Sequence, residues 1–440
     1  MVKSLAILGS QWGDEGKGRV INYFSKTYDI VVRFQGGNNA GFLLKHHDTK
    51  IELNLLPAGI LSPNTTCYIA NGVAVNLDVL NQEIDLISRH DIDVYNKLKL
   101  SFGSHIILPY HVALDKARET ALGSSAIGTT NKGIGPVYYD KILRSGIRLE
   151  DIKSPKVLAE KLDFHLDYVN FILKNYYKLE TFSFSEIFDS TLKKSERIAP
   201  LLCDVTKELN DAHSLGKKIL FEGAQGAGLD IDHGSYPYVT SSNTTVGAIG
   251  TGSGFPVNKL DYSLNIIKAY ATRLGSGPFI SEFSEKDDSV ELNHLSKINT
   301  SLAEYFGREV RYGWLDAVQL KRACMINGAD GICLTKLNDL DSFKEIKICI
   351  DYHDANEKLK CDLENKWLDT ASLENYKPKY QALKGWQTST KGIKDYKKLP
   401  KEAKDFIKAI ETFTGFKIAL ISTSPEVDDV IVIDKRLGEK

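Results

Sequence analysis

The apolar run Leu5-Ala-Ile-Leu8 is followed at once by Gly9-Ser-Gln-Trp-Gly-Asp-Glu-Gly-Lys-Gly18, and then by Arg19-Val-Ile-Asn-Tyr-Phe24. The first run reads as a buried strand and the last as a first helix. A glycine-rich turn between a strand and a helix start presents backbone N–H groups to a phosphate, and the helix dipole favours the negative charge. Lys17 can add a point charge there. The segment is not a Walker A loop, because that pattern needs glycine where this chain has Gln11 and a hydroxyl where it has Gly18. Its distinctive feature is the acidic pair Asp14-Glu15. A carboxylate beside bound polyphosphate is repelled unless it holds a metal or moves a proton. A plain strand–turn–helix corner would account for the glycines but not for Trp12, Asp14 and Lys17 together.

Short apolar runs ending in glycine or polar turns recur along the chain. Ile30-Val-Val-Arg-Phe34 precedes Gln-Gly-Gly-Asn-Asn, and Lys218-Ile-Leu-Phe221 precedes Glu-Gly-Ala-Gln-Gly. Gly331-Ile-Cys-Leu334 precedes Thr-Lys-Leu-Asn, and Ile418-Ala-Leu-Ile421 precedes Ser-Thr-Ser-Pro. Helical stretches such as Ser154 to Lys178 and Ala317 to Asn327 lie between them. This alternation predicts an α/β fold with a large, mostly parallel central sheet and helices on both faces. Ligands of such sheets bind beyond the carboxyl ends of the strands, where all four loops would lie. The lysine-rich stretch Tyr376 to Asp405 reads as an exposed excursion with a solvated helix. At 440 residues the chain could hold two or three domains, but large α/β sheets often run this long as one unit, and 1–440 is read as a single domain with loop and helical excursions.

The net charge of −1 gives no electrostatic footprint for nucleic acid or an anionic membrane. No apolar run approaches the length that spans a bilayer, so a cytoplasmic location is expected. The cysteines at 67, 203, 324, 333, 349 and 361 form no C-x-x-C pair and read as buried thiols. The histidines lack metal-site spacing. His46-His47 reads as a solvated turn, and His111 and His213 as structural.

Gln11-Trp-Gly-Asp-Glu-Gly-Lys-Gly18 resembles the N-terminal signature of adenylosuccinate synthetases, and further segments carry that resemblance from residue 4 to about residue 433. The family joins IMP to L-aspartate using GTP and Mg²⁺, on a fold with a nucleotide site like that of P-loop NTPases. The resemblance implies that Asp14 removes the N1 proton of the purine and also ligates the metal. Oxygen O6 then attacks the γ-phosphate, and the amine displaces phosphate from the 6-phosphoryl intermediate. Lys17 and the loop residues Gly13, Asp14, Glu15, Gly16 and Gly18 would hold the triphosphate, while Asp14 and Lys17 also face IMP. Gly36-Gly-Asn-Asn-Ala-Gly41 resembles the second phosphate-side loop, which implies that Asn39 and Gly41 bind IMP. The Gly41 carbonyl would also serve the metal and GTP. Ile127-Gly-Thr-Thr-Asn-Lys-Gly-Ile-Gly-Pro136 looks like the 5′-phosphate loop, with Thr129 and Thr130 offering hydroxyls and N–H groups. Arg144 matches the residue that reaches the partner's IMP in a homodimer. Gln225, counted with Asp14 and Lys17 among the catalytic residues, and Thr240 match residues that fix base and phosphate.

Three segments depart from the family pattern. Phe42-Leu43 replaces His-Thr, which removes the acid that stabilises departing charge; losing one such donor costs about 2.7–4 kcal/mol of transition-state stabilisation. In Glu304-Tyr-Phe-Gly-Arg-Glu-Val-Arg-Tyr-Gly-Trp314, Arg308 and Arg311 survive as amino-acid-binding residues, with Arg308 also at IMP. Tyr305 and Phe306 replace threonines there, and Glu309 and Val310 replace arginines. Arginine forks are the usual partners of carboxylates, so aspartate binding should weaken or the amino acid should change. Thr335-Lys-Leu-Asn338 stands where the family has Thr-Lys-Leu-Asp, with Lys336 and Asn338 at the guanine site. An amide cannot repeat the bidentate acceptance of guanine N1–H and the 2-amino group, which predicts a weakened preference for GTP. Ser422, Thr423 and Ser424 would pack over the same base. Two alternatives follow: a divergent paralogue using another amine, purine or triphosphate, and a nucleotide-binding protein without turnover.

Overall fold

A computed structural model of the chain describes residues 2–46, 49–284, 286, 288–300, 310–354, 373 and 375–438. Among the described residues, two sets of five strands carry the main sheet structure, and of all the pairings described within these sets one is antiparallel and the rest are parallel. The backbone divides into two compact units, one of residues 1–20, 225–239 and 261–440, the other of residues 21–224 and 240–260.

In the first unit the strands run in the order Val430–Val432, Ile418–Ser422, Gly331–Thr335, Tyr262–Lys268, Ser4–Gly9. Only the edge pair, Ile418–Ser422 with Val430–Val432, is antiparallel. Leu5, Ala6, Ile7 and Leu8 are wholly buried, as strands of a sheet covered on both faces must be, which explains their unbroken apolar run. The expected helix Ala317 to Asn327 runs Ala317–Ile326 and is capped by Asp316, whose carboxylate accepts from the N–H groups of Val318 and Gln319. A core of Trp314, Phe283, Phe343, Trp386 and Phe406 packs behind these elements.

The lysine-rich excursion is more structured than its composition suggested. Tyr376–Lys384 is a strand paired antiparallel with Glu345–Asp354. The helix Lys401–Thr414 buries Ala403, Phe406, Ile407 and Ile410. Its apolar residues recur at helical spacing, so the lysines occupy one face while the other joins the core.

The second unit orders its strands Ile219–Glu222, Ile30–Arg33, Thr66–Ile69, Leu98–Ser101, Leu202–Cys203, all parallel. The helix expected from Ser154 runs Pro155–Ile172 and closes with one wider turn, Leu173–Tyr177, before Lys178 adopts a left-handed conformation. Among the described residues, no helix is long and apolar enough to cross a membrane.

Candidate active site

In the first unit, the loop after Ser4–Gly9 is folded around Glu15. One carboxylate oxygen accepts from the N–H groups of Gln11 and Gly13, both at 3.0 Å, and the other accepts from Lys17 Nζ. Both side chains are buried. Gly9 has to be glycine, because a Cβ there would lie 2.3 Å from the Gln225 carbonyl oxygen and 2.7 Å from the Glu15 carboxylate. The acidic pair therefore divides its work. Glu15 shapes the loop, while Asp14, held at φ +56°, meets two ammonium groups: Lys268 Nζ at 3.2 Å and Lys336 Nζ at 3.3 Å.

Lys268 ends the strand Tyr262–Lys268 and is wholly buried. Burial pulls its ammonium down to about 8, against the opposing pull of Asp14. Its Nζ also bonds Thr272 Oγ1. Lys336, itself at φ +55°, reaches Asn299 Oδ1 at 3.1 Å. Burial alone would raise the Asp14 carboxyl, but the charges of Lys336 and Lys268 outweigh it and hold it below the usual carboxylate range. Asp14 is thus an ionised carboxylate at neutral pH, able to accept a proton and to offer a hard oxygen donor.

Two further segments of the family pattern are tied into this unit. Thr335 Oγ1 donates to the Glu15 carbonyl at 2.7 Å. Asn338 Nδ2 donates to Asp339 Oδ1 at 3.0 Å, which uses one of the amide's two N–H donors and leaves its carbonyl oxygen as the acceptor it can offer a base. Arg19 donates to the Ser424 carbonyl, while Ser424 Oγ donates to Asp429 and Thr423 Oγ1 to the Ile393 carbonyl. These two hydroxyls serve the fold, so any contact they make with a base would come from the backbone or the other lone pair.

Arg311 lies on Val310–Gly313, opposite Arg273 of Ala271–Leu274. Its guanidinium pairs with Glu282 and donates to the Gly277 carbonyl at 2.7 Å. Arg273 is buried and donates to the carbonyls of Ser276, Pro278 and Tyr238; its pKa is depressed by burial to about 9. Arg308, Glu309, Tyr305 and Phe306 lie outside the described residues.

In the second unit, Asn39 Nδ2 donates to Thr240 Oγ1 at 3.2 Å, joining two expected IMP residues 201 positions apart. Lys132 Nζ reaches the Asn38 carbonyl at 2.9 Å. The Thr129 hydroxyl donates to Asp115 at 2.9 Å and its N–H to Glu119 at 3.0 Å. Arg144 is exposed, at φ +65° just past the helix Ile134–Leu143. Gly41 immediately precedes Phe42–His46, the first strand of a hairpin with Thr49–Leu53. Phe42 is buried there under the Arg33 guanidinium, 5.7 Å from its ring centroid. Arg33 in turn donates to the Asn54 and Gly37 carbonyls, so position 42 packs where the family pattern would donate. His47 and the His46 side chain lie outside the described residues. His111 accepts the Leu108 N–H on Nδ1, which puts the proton on Nε2 for Asp140 at 2.8 Å; that is a structural link between helices.

Among the described residues, eight other than glycine have positive φ, and four of them are Asp14, Arg144, Gln225 and Lys336. Such conformations cost about 1–3 kcal/mol each and gather where function over-determines the backbone. Lys268, Arg19, Arg33 and Arg273 were not anticipated. Lys268 and Arg33 gave a signal, as charged residues at the ends of the strand sequences Ile266-Ile-Lys268 and Ile30-Val-Val-Arg33.

The family model described as adenylosuccinate synthetase matches residues 6–431. The chain belongs to the adenylosuccinate synthetase family. It is 46% identical over 433 residues to the adenylosuccinate synthetase of Alcanivorax borkumensis, covering 98% of this chain and 99% of that one. It is 45% identical over 434 residues to that of Histophilus somni, covering 99% of each. A structure of the fully ligated adenylosuccinate synthetase from Plasmodium falciparum superposes with a TM-score of 0.91 at 33% identity, over 98% of this chain and 100% of that one. The chain is accordingly a GTP-dependent C–N ligase of purine nucleotide biosynthesis, of a family that uses Mg²⁺ and acts on nucleotides and aspartate.

Proposed function

We propose that residues 1–440 act as one catalytic domain that activates the 6-oxo group of IMP, with Asp14 as the base and L-aspartate as the incoming amine. The reading is carried by the placement of Asp14. An ionised carboxylate on a strained loop residue, flanked by two lysines, can take the N1 proton while those lysines balance the charge that collects nearby. Once N1 is deprotonated, O6 attacks the γ-phosphate of GTP and GDP leaves. The amine then adds at C6 and phosphate departs. Lys17 and the backbone of Gly13 to Gly18 hold the triphosphate, chiefly by position and charge. Lys336, Asn338 and the Ser422–Ser424 turn take the guanine. Asn39, Thr129, Thr130, Gln225 and Thr240 orient IMP, with Gln225 beside the reacting base. Arg308 and Arg311 take the amino acid's carboxylates. For Arg311 this means exchanging Glu282 for substrate.

Magnesium would suit the ionised Asp14 carboxylate, a hard oxygen donor, and by the family pattern the Gly41 carbonyl would add a second oxygen. When bound, the ion neutralises charge on the phosphates.

We further propose a cytoplasmic homodimer in which Arg144 serves the partner's IMP. Beside Arg144, Tyr139, Ile142 and Leu143 are exposed, and Tyr139 hydrogen-bonds Tyr168, which continues the surface to exposed Phe164 and Phe171. Contiguous apolar surface of this kind marks an interaction face.

A second reading, altered choice of triphosphate or amine, draws support from Asn338 and from the pairing of Arg311 with Glu282. Phosphate release should be followed from IMP with GTP, with and without L-aspartate, alongside the absorbance change of 6-amino substitution. Aspartate-dependent release supports the first reading. Release only with another amine or triphosphate supports the second, and nucleotide binding without release under any pairing would overturn both.

A further inference from the structure

Along the helix Pro109–Leu122, His111, Asp115 and Glu119 follow one another at four-residue spacing and so share one face. All three reach the segment from residue 127 to residue 140. His111 bonds Asp140. Asp115, buried, accepts the Thr129 hydroxyl and the Gly133 N–H, each at 2.9 Å. Glu119, only half-buried, takes the most: its Oε2 accepts from the N–H groups of Gly128 at 2.7 Å and Thr129 at 3.0 Å, and its Oε1 from Ile127 at 3.3 Å.

Three successive backbone N–H groups converging on one anionic group form the concave arrangement by which loops bind phosphate. Gly128, at φ +80°, lets the chain curl that tightly. Here the anion is supplied by the chain itself. A nucleotide 5′-phosphate carries between one and two negative charges at neutral pH, so it cannot share those N–H groups with a carboxylate. We propose that Glu119 competes with the 5′-phosphate of the nucleotide for the amides of residues 127–129, and that binding proceeds by exchange of one anion for the other. Asp115, deeper and bonded to Gly133 as well, keeps the loop attached to the helix during the exchange. Glu119 is half-exposed and four residues further along, so it can swing into solvent as the phosphate takes over its three donors. The inference rests on the reading of the Thr129–Thr130 loop as the 5′-phosphate site.

The test compares IMP with inosine, which lacks the phosphate, by calorimetric titration of the full chain. Wild type, Glu119→Gln, Glu119→Ala and Thr129→Val are each checked by thermal melting for an intact fold. Weakening the internal competitor should tighten IMP about three- to tenfold in Glu119→Gln, and more in Glu119→Ala, with inosine unchanged. Thr129→Val should weaken IMP. If Thr129→Val weakens IMP while the Glu119 variants leave it unchanged or weaker, Glu119 is a scaffold and the exchange is refuted. If all three variants leave IMP unchanged, the loop does not bind the phosphate and the underlying reading falls with it.

Discussion

Replacing Asp14 by asparagine removes one negative charge from between two ammonium groups while preserving shape. Loss of a general base lowers turnover by roughly 10²–10⁴, so kcat should fall at least about a hundredfold, with IMP affinity changed only several-fold. Stability should fall too. Unit charges 3.2 Å apart attract by about 5 kcal/mol at an effective dielectric constant near 20. Removing one partner of a buried pair costs about 3–5 kcal/mol. Because the Asp14 side chain keeps 20% of its surface exposed, a net loss of about 2–3 kcal/mol is expected. The pH dependence follows from Lys268, which titrates at about 8 in the fold against about 10.4 unfolded. The fold therefore disfavours its charged form. That penalty is fully present below pH 8 and fades as the pH rises toward about 10.4. Without Asp14 the penalty deepens, so the variant's deficit should be largest near pH 7 and shrink toward about pH 9.5, where a neutral Lys268 needs no partner. Urea denaturation of both proteins at the two pH values, without nucleotide or metal, measures this. Equal deficits at both pH values, or kcat within tenfold of wild type, would refute the reasoning.

Asn338→Asp should sharpen selectivity for GTP over ITP, XTP and ATP as phosphate donors, because it restores a bidentate acceptor; an already strict GTP requirement in the parent chain would contradict this. Phe42→His should raise kcat tenfold or more if position 42 lacks a donor that the chemistry uses. No gain in single-turnover phosphate release would mean that another group already serves. Arg144→Leu should raise the Michaelis constant for IMP while sedimentation still reports a dimer, and an unchanged constant would remove Arg144 from the partner's site.

The strand, glycine loop and helix at the N-terminus were legible because their signals are local: an apolar run, obligatory glycines and a helical period within some twenty residues. The same holds for Ile30–Arg33, Ile219–Glu222, Gly331–Thr335 and Ile418–Ser422, each of which ends at a loop marked by composition. What could not be read was who meets whom. Lys268 lies 254 residues from Asp14, and nothing near either residue announces the pair. That Arg311 pairs with Glu282 could not be read either, because that carboxylate lies 29 residues upstream across a strand pairing. Nothing in the sequence marked Glu119, since its three donors lie past the end of its own helix. The lysine-rich stretch Tyr376 to Asp405 is largely exposed, as its charge count indicated, but its strand pairing and the buried face of the helix that begins at Lys401 are set by tertiary packing and could not be read.

The left-handed backbone at Asp14, Gln225, Lys336 and Arg144 has a consequence for anyone seeking a hardier variant. Glycine at exposed Arg144 would relax the chain, and a screen that scores only melting temperature would reward it, whereas at Asp14 and Lys336 the lost ion pair outweighs the relief. Such a screen would remove the residue proposed to serve the partner's IMP while the melting temperature rose. Selection for robustness on this scaffold should therefore hold those positions fixed and seek its gains elsewhere.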